Sequence, residues 1–234
     1  MSSKSPRIPN RLLAALPKKD YQFLETHLEE APLVFEDVLY RPNLPISDVY
    51  FPNSGIISLI AAVNGRSTLE VGLVGSDGVL GLDVFMGVGS SQNQAVVQGA
   101  GSAMKMKASA FRKFCNNGSG ALPRVLQRYT HSLLTQITQS AVCNQFHSVE
   151  SRMARWLLMT HDRMRNDEFE LTQEFLSNML GVRREGVSRA AGVLQKRKLI
   201  SYSRGHLKIL DREALEAISC RCYEIIRNEA NSKV

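Results

Sequence analysis

Apolar positions recur at two different periods along this chain, and the change between them divides it. Up to about residue 120 the apolar runs are short and punctuated by glycine and polar turns. That pattern predicts strands at Leu33–Phe35, Val38–Tyr40, Val49–Phe51, Ile56–Ala62, Thr68–Val74, Ala95–Gln98 and Ala103–Met106. Asn64-Gly65 lies between two of them and reads as a hairpin turn, because both residues tolerate positive φ. Several short strands at this spacing predict a sandwich or barrel-like roll. A small helix precedes it: Pro17 suits a first turn, and Tyr21, Leu24 and Leu28 share a face.

Beyond Gly120 the period becomes helical. Pro123 opens a predicted helix to about His147, along which Leu126, Tyr129, Leu133, Leu134, Ile137 and Ala141 recur. From Tyr129 to Val149 it has no Asp, Glu, Lys or Arg. A helix exposed on a monomer usually carries charge on its wet face. Two readings stand: packing against its own domain, or a helix shared with a second subunit. The next helix covers about Ser148 to Arg165, with Val149, Met153, Trp156 and Leu157 on one side.

Two short helices about a glycine turn then follow, a helix-turn-helix pattern. Thr172 is a suitable N-cap, Leu171 and Leu176 fit a hydrophobic staple around it, and Gly181 supplies a left-handed closing residue. The second helix runs from about Arg183 to Lys196 with Val187, Ala190, Ala191 and Leu194 inward. Leu199–Tyr202 and Leu207–Leu210, joined through Ser203-Arg204-Gly205-His206, add a hairpin wing.

Composition narrows the class. With 234 residues, 44% apolar and 22% charged, the chain is long enough to bury a core. No apolar run reaches a membrane span, and the N-terminal apolar pieces are broken by Pro9, Asn10 and Arg11, so no signal core is expected. Four cysteines do not make a disulfide scaffold, so a cytoplasmic location is expected. Between Arg183 and Lys208 eight basic side chains face Glu185 alone, an excess equal to the whole chain's +7. A cluster of that sign on a helix-turn-helix points to a polyanion, with nucleic acid ahead of an anionic membrane. Arg184, Glu185, Ser188 and Arg189 share one face, and their chemistry suits base edges: Arg forks onto guanine and Glu accepts from cytosine. Lys196, Arg197, Lys198, Arg204 and Lys208 are placed for phosphates.

The stretch LTQEFLSNMLGVRREGVSRAAGVLQKRKLI, from Leu171 to Ile200, resembles the helix-turn-helix of Crp/Fnr regulators. PNSGIISLIAAVNGRSTLEVGLVGSDGVLGL resembles that family's cyclic-nucleotide-binding-like domain. The resemblance implies an α+β protein. Its parts would be an N-terminal double-stranded, jelly-roll-like β-roll (1–120), a long central dimerisation helix (121–147) and a C-terminal winged helix-turn-helix (148–234). It puts base reading on Arg184, Glu185, Ser188 and Arg189. Thr172, Gln173 and Arg183 at the helix starts, with Lys196, Lys198 and Arg204, complete the candidate DNA contacts. Leu126, Tyr129, Leu133, Ile137 and Ala141 are the candidate dimer interface. The implied partners are a near-palindromic double-stranded operator and a second copy of the chain, with RNA polymerase a further candidate and no membrane.

Departures from that family carry information. Arg183 stands where Ser or Thr often caps the recognition helix, and it brings positive charge to the positive helix end; a phosphate nearby reverses the sign. Gly186 adds a helix-propensity cost of about 1 kcal/mol. Members that bind cyclic AMP carry Gly-Glu and then Arg-Ser; here the first pair is Gly81-Leu82 and the second region is Ser91-Gln92-Asn93-Gln94. Without an arginine a buried cyclic phosphate lacks its counter-charge. The pocket near Gly81, Leu82, Asn93 and Gln94 is therefore degenerate, its ligand unknown, and cyclic AMP is not expected. Cys220-x-Cys222 falls in a predicted helix, where such a pair does not share a face, and Cys115 and Cys143 are isolated. Buried structural cysteine, no metal and no cofactor are the expectation. G-x-S-x-G and P-loop motifs are missing, which disfavours an enzyme. The competing class is a ligand-binding or protein-interaction module whose winged domain has lost DNA binding.

Overall fold

Strand pairing, more than apolar alternation, decides where the first elements begin and end. The computed structural model describes residues 8–63, 67–116, 120–164 and 166–232. Helix α1 (Arg11–Ala14) starts at Asn10, whose side-chain oxygen accepts from the Leu12 and Leu13 amides at 3.1 Å. The Asn10 side-chain amide donates to the carbonyls of Pro52 and Gly78, at 2.9 and 3.0 Å. Asn10 is therefore a cap that pins α1 to the roll, where the sequence suggested only an interruption. Helix α2 (Lys18–Glu25) begins after Pro17 and buries Leu24.

Strands β1 (Glu29–Leu33), β2 (Val38–Tyr40), β3 (Asp48–Pro52), β4 (Ile56–Val63) and β5 (Ser67–Val74) follow, then a one-turn helix α3 (Leu82–Phe85), β6 (Gln94–Gly99) and β7 (Gly101–Lys107). They form a three-stranded sheet in the order β1-β7-β3 and a four-stranded one in the order β2-β6-β4-β5. The first strand differs from expectation. β1 ends at Leu33, and Val34 and Phe35 are exposed beyond it. Its register is fixed by β7 (Glu29 opposite Lys105, Leu33 opposite Gly101), and as an edge strand it tolerates Glu29, Glu30 and Pro32. Hydropathy could not mark it. The predicted Asn64-Gly65 turn lies outside the described residues.

Helix α4 (Ala108–Asn116) buries Phe111 and leads to the long helix α5 (Leu122–Phe146). Two compact units result: one comprises the chain to Leu59 and Leu73–Leu133, the other Ile60–Gly72 and Leu134–Ser232. In the first, Leu12, Leu13, Phe51, Met106, Phe111, Leu126 and Tyr129 lie in one core.

The second unit is built around α6 (Val149–Met164), which is buried on every side from Arg152 to Thr160. Its Trp156 indole donates to Glu70 at 2.8 Å, and its ring meets Phe175 edge-on. After α6 come β8 (Glu168–Glu170), α7 (Gln173–Leu180), α8 (Arg184–Lys196), β9 (Ile200–Ser203), β10 (His206–Ile209), α9 (Arg212–Ile218) and α10 (Arg221–Asn231). The wing is a three-stranded sheet in the order β8-β10-β9, with β8 an addition to the expected hairpin. No helix among the described residues is long and apolar enough to cross a membrane.

Candidate nucleic-acid interface

The local signals of the helix-turn-helix act as read. Thr172 Oγ1 accepts from the Phe175 amide at 3.1 Å, capping α7. Gly181 is left-handed (φ 61°, ψ 40°), and its amide and that of Val182 both donate to the Ser177 carbonyl. Arg183 is the N-cap of α8 and supplies no side-chain bond. Val187, Ala190, Ala191 and Leu194 are buried, while Arg183, Arg184, Glu185, Ser188 and Arg189 are all exposed. Exposed too are Thr172 and Gln173 at the start of α7, and Lys196, Lys198 and Arg204 beyond α8.

The wing is fixed to α8 and to the residue before the α7 cap. The Tyr202 amide donates to the Gln195 side chain at 2.6 Å, and the Tyr202 hydroxyl to the Leu171 carbonyl at 2.7 Å. Arg204 and Gly205 form the hairpin tip with φ of 51° and 85°, the two-residue geometry that matches strand twist. Lys198 is likewise left-handed (φ 58°), so two of the basic side chains leave the backbone at forced turns.

Acids missing from the sequence-level cluster enter through folding. Glu174 on α7 pairs with Arg184, and Glu168 on β8 with Lys208 at 2.7 Å. That bond holds the Lys208 ammonium above its usual range. Lys208 is thus engaged within the wing, which weighs against the phosphate role read for it. Glu168 and Glu174 precede the basic run in sequence, and only β8 and the packing of α7 bring them to it.

Two of the five candidate dimer residues are already in use. Leu126 and Tyr129 are buried in the chain's own core, so neither offers free surface to a partner. Leu133 packs partly against the same core, Ile137 is part-buried, and Ala141 is exposed. Leu134, Val142 and Phe146 are exposed, Phe146 at 76%. In the roll, Gly81 has φ 126° before α3, Leu82 is buried, and Asn93 and Gln94 are part-buried. Asp83, on α3, bonds to Ser91; burial raises its carboxyl above the ordinary range despite that bond.

The cysteines correct the sequence reading. Cys220 is the N-cap of α10 with extended backbone, not a helical residue, so helical spacing does not separate it from Cys222. Cys143 lies in the last turn of α5, and His147, one residue past its end, still donates its amide to the Cys143 carbonyl at 3.1 Å. The structure brings all four together, with Cys143 Sγ 3.4 Å from Cys220 Sγ and Cys222 Sγ 3.7 Å from His147 Nδ1. The thiol–thiol hydrogen bond, aided by the nearby Arg155 charge, draws Cys220 well below the ordinary thiol range; the same bond and burial push Cys143 above it, against the pull of Arg155.

Residues 151–218 match the Crp-like helix-turn-helix domain. Among solved structures, FixK2 from Bradyrhizobium japonicum is similar over 82% of this chain and 98% of its own, at 18% identity and TM-score 0.68. CLP from Xanthomonas campestris, a c-di-GMP-responsive global regulator, is similar over 82% and 99%, at 18% identity and TM-score 0.67. A CRP-family transcriptional regulator from Thermus thermophilus, TTHB099, is similar over 81% and 96%, at 16% identity and TM-score 0.65. No curated protein matches the sequence. Residues 151–218 thus carry a Crp-like helix-turn-helix domain, and the chain shares the fold of these solved structures.

Proposed function

We infer, from a Crp-like helix-turn-helix carried on a Crp/Fnr fold, that this protein is a sequence-specific transcription regulator that binds DNA as a homodimer. The observation that carries this reading is α8. Its apolar side is buried against the domain, and its outward side offers Arg184, Glu185, Ser188 and Arg189 together. Those side chains read bases, while Lys196, Lys198, Arg204 and the N-terminus of α7 at Thr172 and Gln173 hold phosphates. Arg183 and the Arg184–Glu174 pair await DNA: a phosphate at the start of α8 supplies the negative charge that offsets Arg183 there.

The uncharged second half of α5 supports the dimer. Leu134, Val142 and Phe146 expose a stripe that a second copy would cover, with Ile137, Ala141 and Leu133 at its edge. Each large side chain fully buried there contributes about 1.5–3 kcal/mol. Two copies of α8 about a two-fold axis then enter successive major grooves about 34–36 Å apart. The roll, on this reading, does not bind cyclic AMP. No arginine lies between Arg66 and Arg112, and the side chain bonded to Ser91 is a carboxyl. A micromolar affinity for cyclic AMP or cyclic GMP in calorimetry would contradict this.

Selection of duplexes from a random pool by the full-length protein tests the reading. A near-palindrome with half-sites one helical turn apart is the expected product. Recovery of unrelated duplexes, bound equally well, would leave the interaction-module reading in its place.

A further inference from the structure

Buried cysteine ordinarily fills space among aliphatic side chains. Cys143, Cys220 and Cys222 do not: they form a buried cluster of their own, with the ring of His147 at its edge. One ligand atom from each of the four residues lies within 4.8 Å of every other. The contributing segments are far apart in sequence, the end of α5 and the lead into α10.

We propose that Cys143, His147, Cys220 and Cys222 bind one tetrahedral, thiolate-preferring divalent cation, zinc in the first instance, which fastens the end of α5 to the start of α10. The distances suit one ion. Zinc bonds of about 2.3 Å to sulfur and about 2.0 Å to nitrogen, at tetrahedral angles, put sulfurs about 3.8 Å apart and sulfur from nitrogen about 3.5 Å. The two contacts found, 3.4 and 3.7 Å, are within a few tenths of those edges. An iron–sulfur cluster would have to place several atoms between the ligands, and the span is too small for it.

The surrounding charge agrees. Three thiolates, one neutral imidazole and a divalent ion carry a net charge of −1. Arg155 and Arg152 are buried, and each acts electrostatically on the cysteines. Arg155 donates to Ser140 and to Met159 sulfur, Arg152 to the Leu180 carbonyl, and among the described residues neither pairs with a carboxylate. The Nε of each has no hydrogen-bond partner among the described residues. Buried guanidinium groups need an anionic neighbour, and a thiolate-rich metal site is one.

The test is the metal content of untagged full-length protein, purified under reductant from zinc-supplemented cells, with cobalt(II) reconstitution as the spectroscopic readout. About one zinc per chain is expected. The cobalt form should show intense tetrahedral ligand-field bands and thiolate-to-cobalt charge transfer. Cys143→Ser/Cys222→Ser should lose both, and Cys115→Ser, on α4, should keep both. Cys222→His preserves four ligands, so it should retain the ion with weaker charge transfer, which separates ligand loss from misfolding. Zinc content no higher than that of the double variant would overturn the proposal. So would cobalt bands unchanged in the double variant, or a thiol titration showing Cys143 and Cys220 joined as a disulfide in metal-free protein.

Discussion

Replacing Gly181 by alanine should destabilise the helix-turn-helix by about 1.5–3.5 kcal/mol, through two separable effects. The backbone at 181 is left-handed (φ 61°), which costs a residue with a β-carbon roughly 1–2 kcal/mol. An alanine Cβ would also stand 2.7 Å from Leu69 Cδ1, so the leucine must leave its rotamer, at about 0.5–1.5 kcal/mol. Trp156 is the chain's one tryptophan and is buried in the same unit, so its fluorescence reports that unit's unfolding alone. With a urea slope of about 1–3 kcal/mol per molar, the midpoint should fall by about 1 M. In a Leu69→Ala background the steric part disappears, and Gly181→Ala should cost only the backbone's roughly 1–2 kcal/mol. Gly181→Asn should be milder than alanine, because Asn tolerates this region. A Gly181→Ala midpoint within about 0.5 kcal/mol of the parent would refute the argument, since a neutral surface site would give that.

Two further outcomes follow from other parts of the structure. Phe146→Asp should halve the mass seen by light scattering, from about twice 26.0 kDa to one chain, without unfolding a residue already 76% exposed; a monomeric parent would remove the dimer at once. Glu174→Gln frees Arg184, and since an exposed pair is worth at most about 1 kcal/mol, DNA affinity should rise by up to roughly fivefold with little change in stability; weaker binding would mean that the pair orients Arg184 for DNA.

Local signals are legible in the sequence wherever one residue type answers one backbone need. Thr172 as cap, Gly181 as left-handed closure and the inward set from Val187 to Leu194 are each readable for that reason. Features set by distant pairing are hidden. β1 owes its bounds to β7, and β8 owes its existence to β10, where Phe169 faces Leu207. Leu126 and Tyr129 carry the helical period of a shared face, yet periodicity marks burial without saying which partner does the burying. The cysteines are hidden for a related reason. The sequence pattern puts Cys220 inside a helix that begins one residue later, and Cys143 meets it only through the packing of α5 with the segment before α10. The Cys143–His147 spacing is the one available hint.

Binding isotherms on the selected operator and on a scrambled duplex, at several salt concentrations, test the central claim that α8 reads bases. Arg189→Ala should cost about 1–3 kcal/mol on the operator and little on the scrambled duplex, relaxing preference at one symmetric base pair. Lys198→Ala should weaken both duplexes alike and lower the salt slope by about one unit. Equal loss on both duplexes for Arg189→Ala, or no loss on either, would contradict the account, because α8 would then not be the element in the groove.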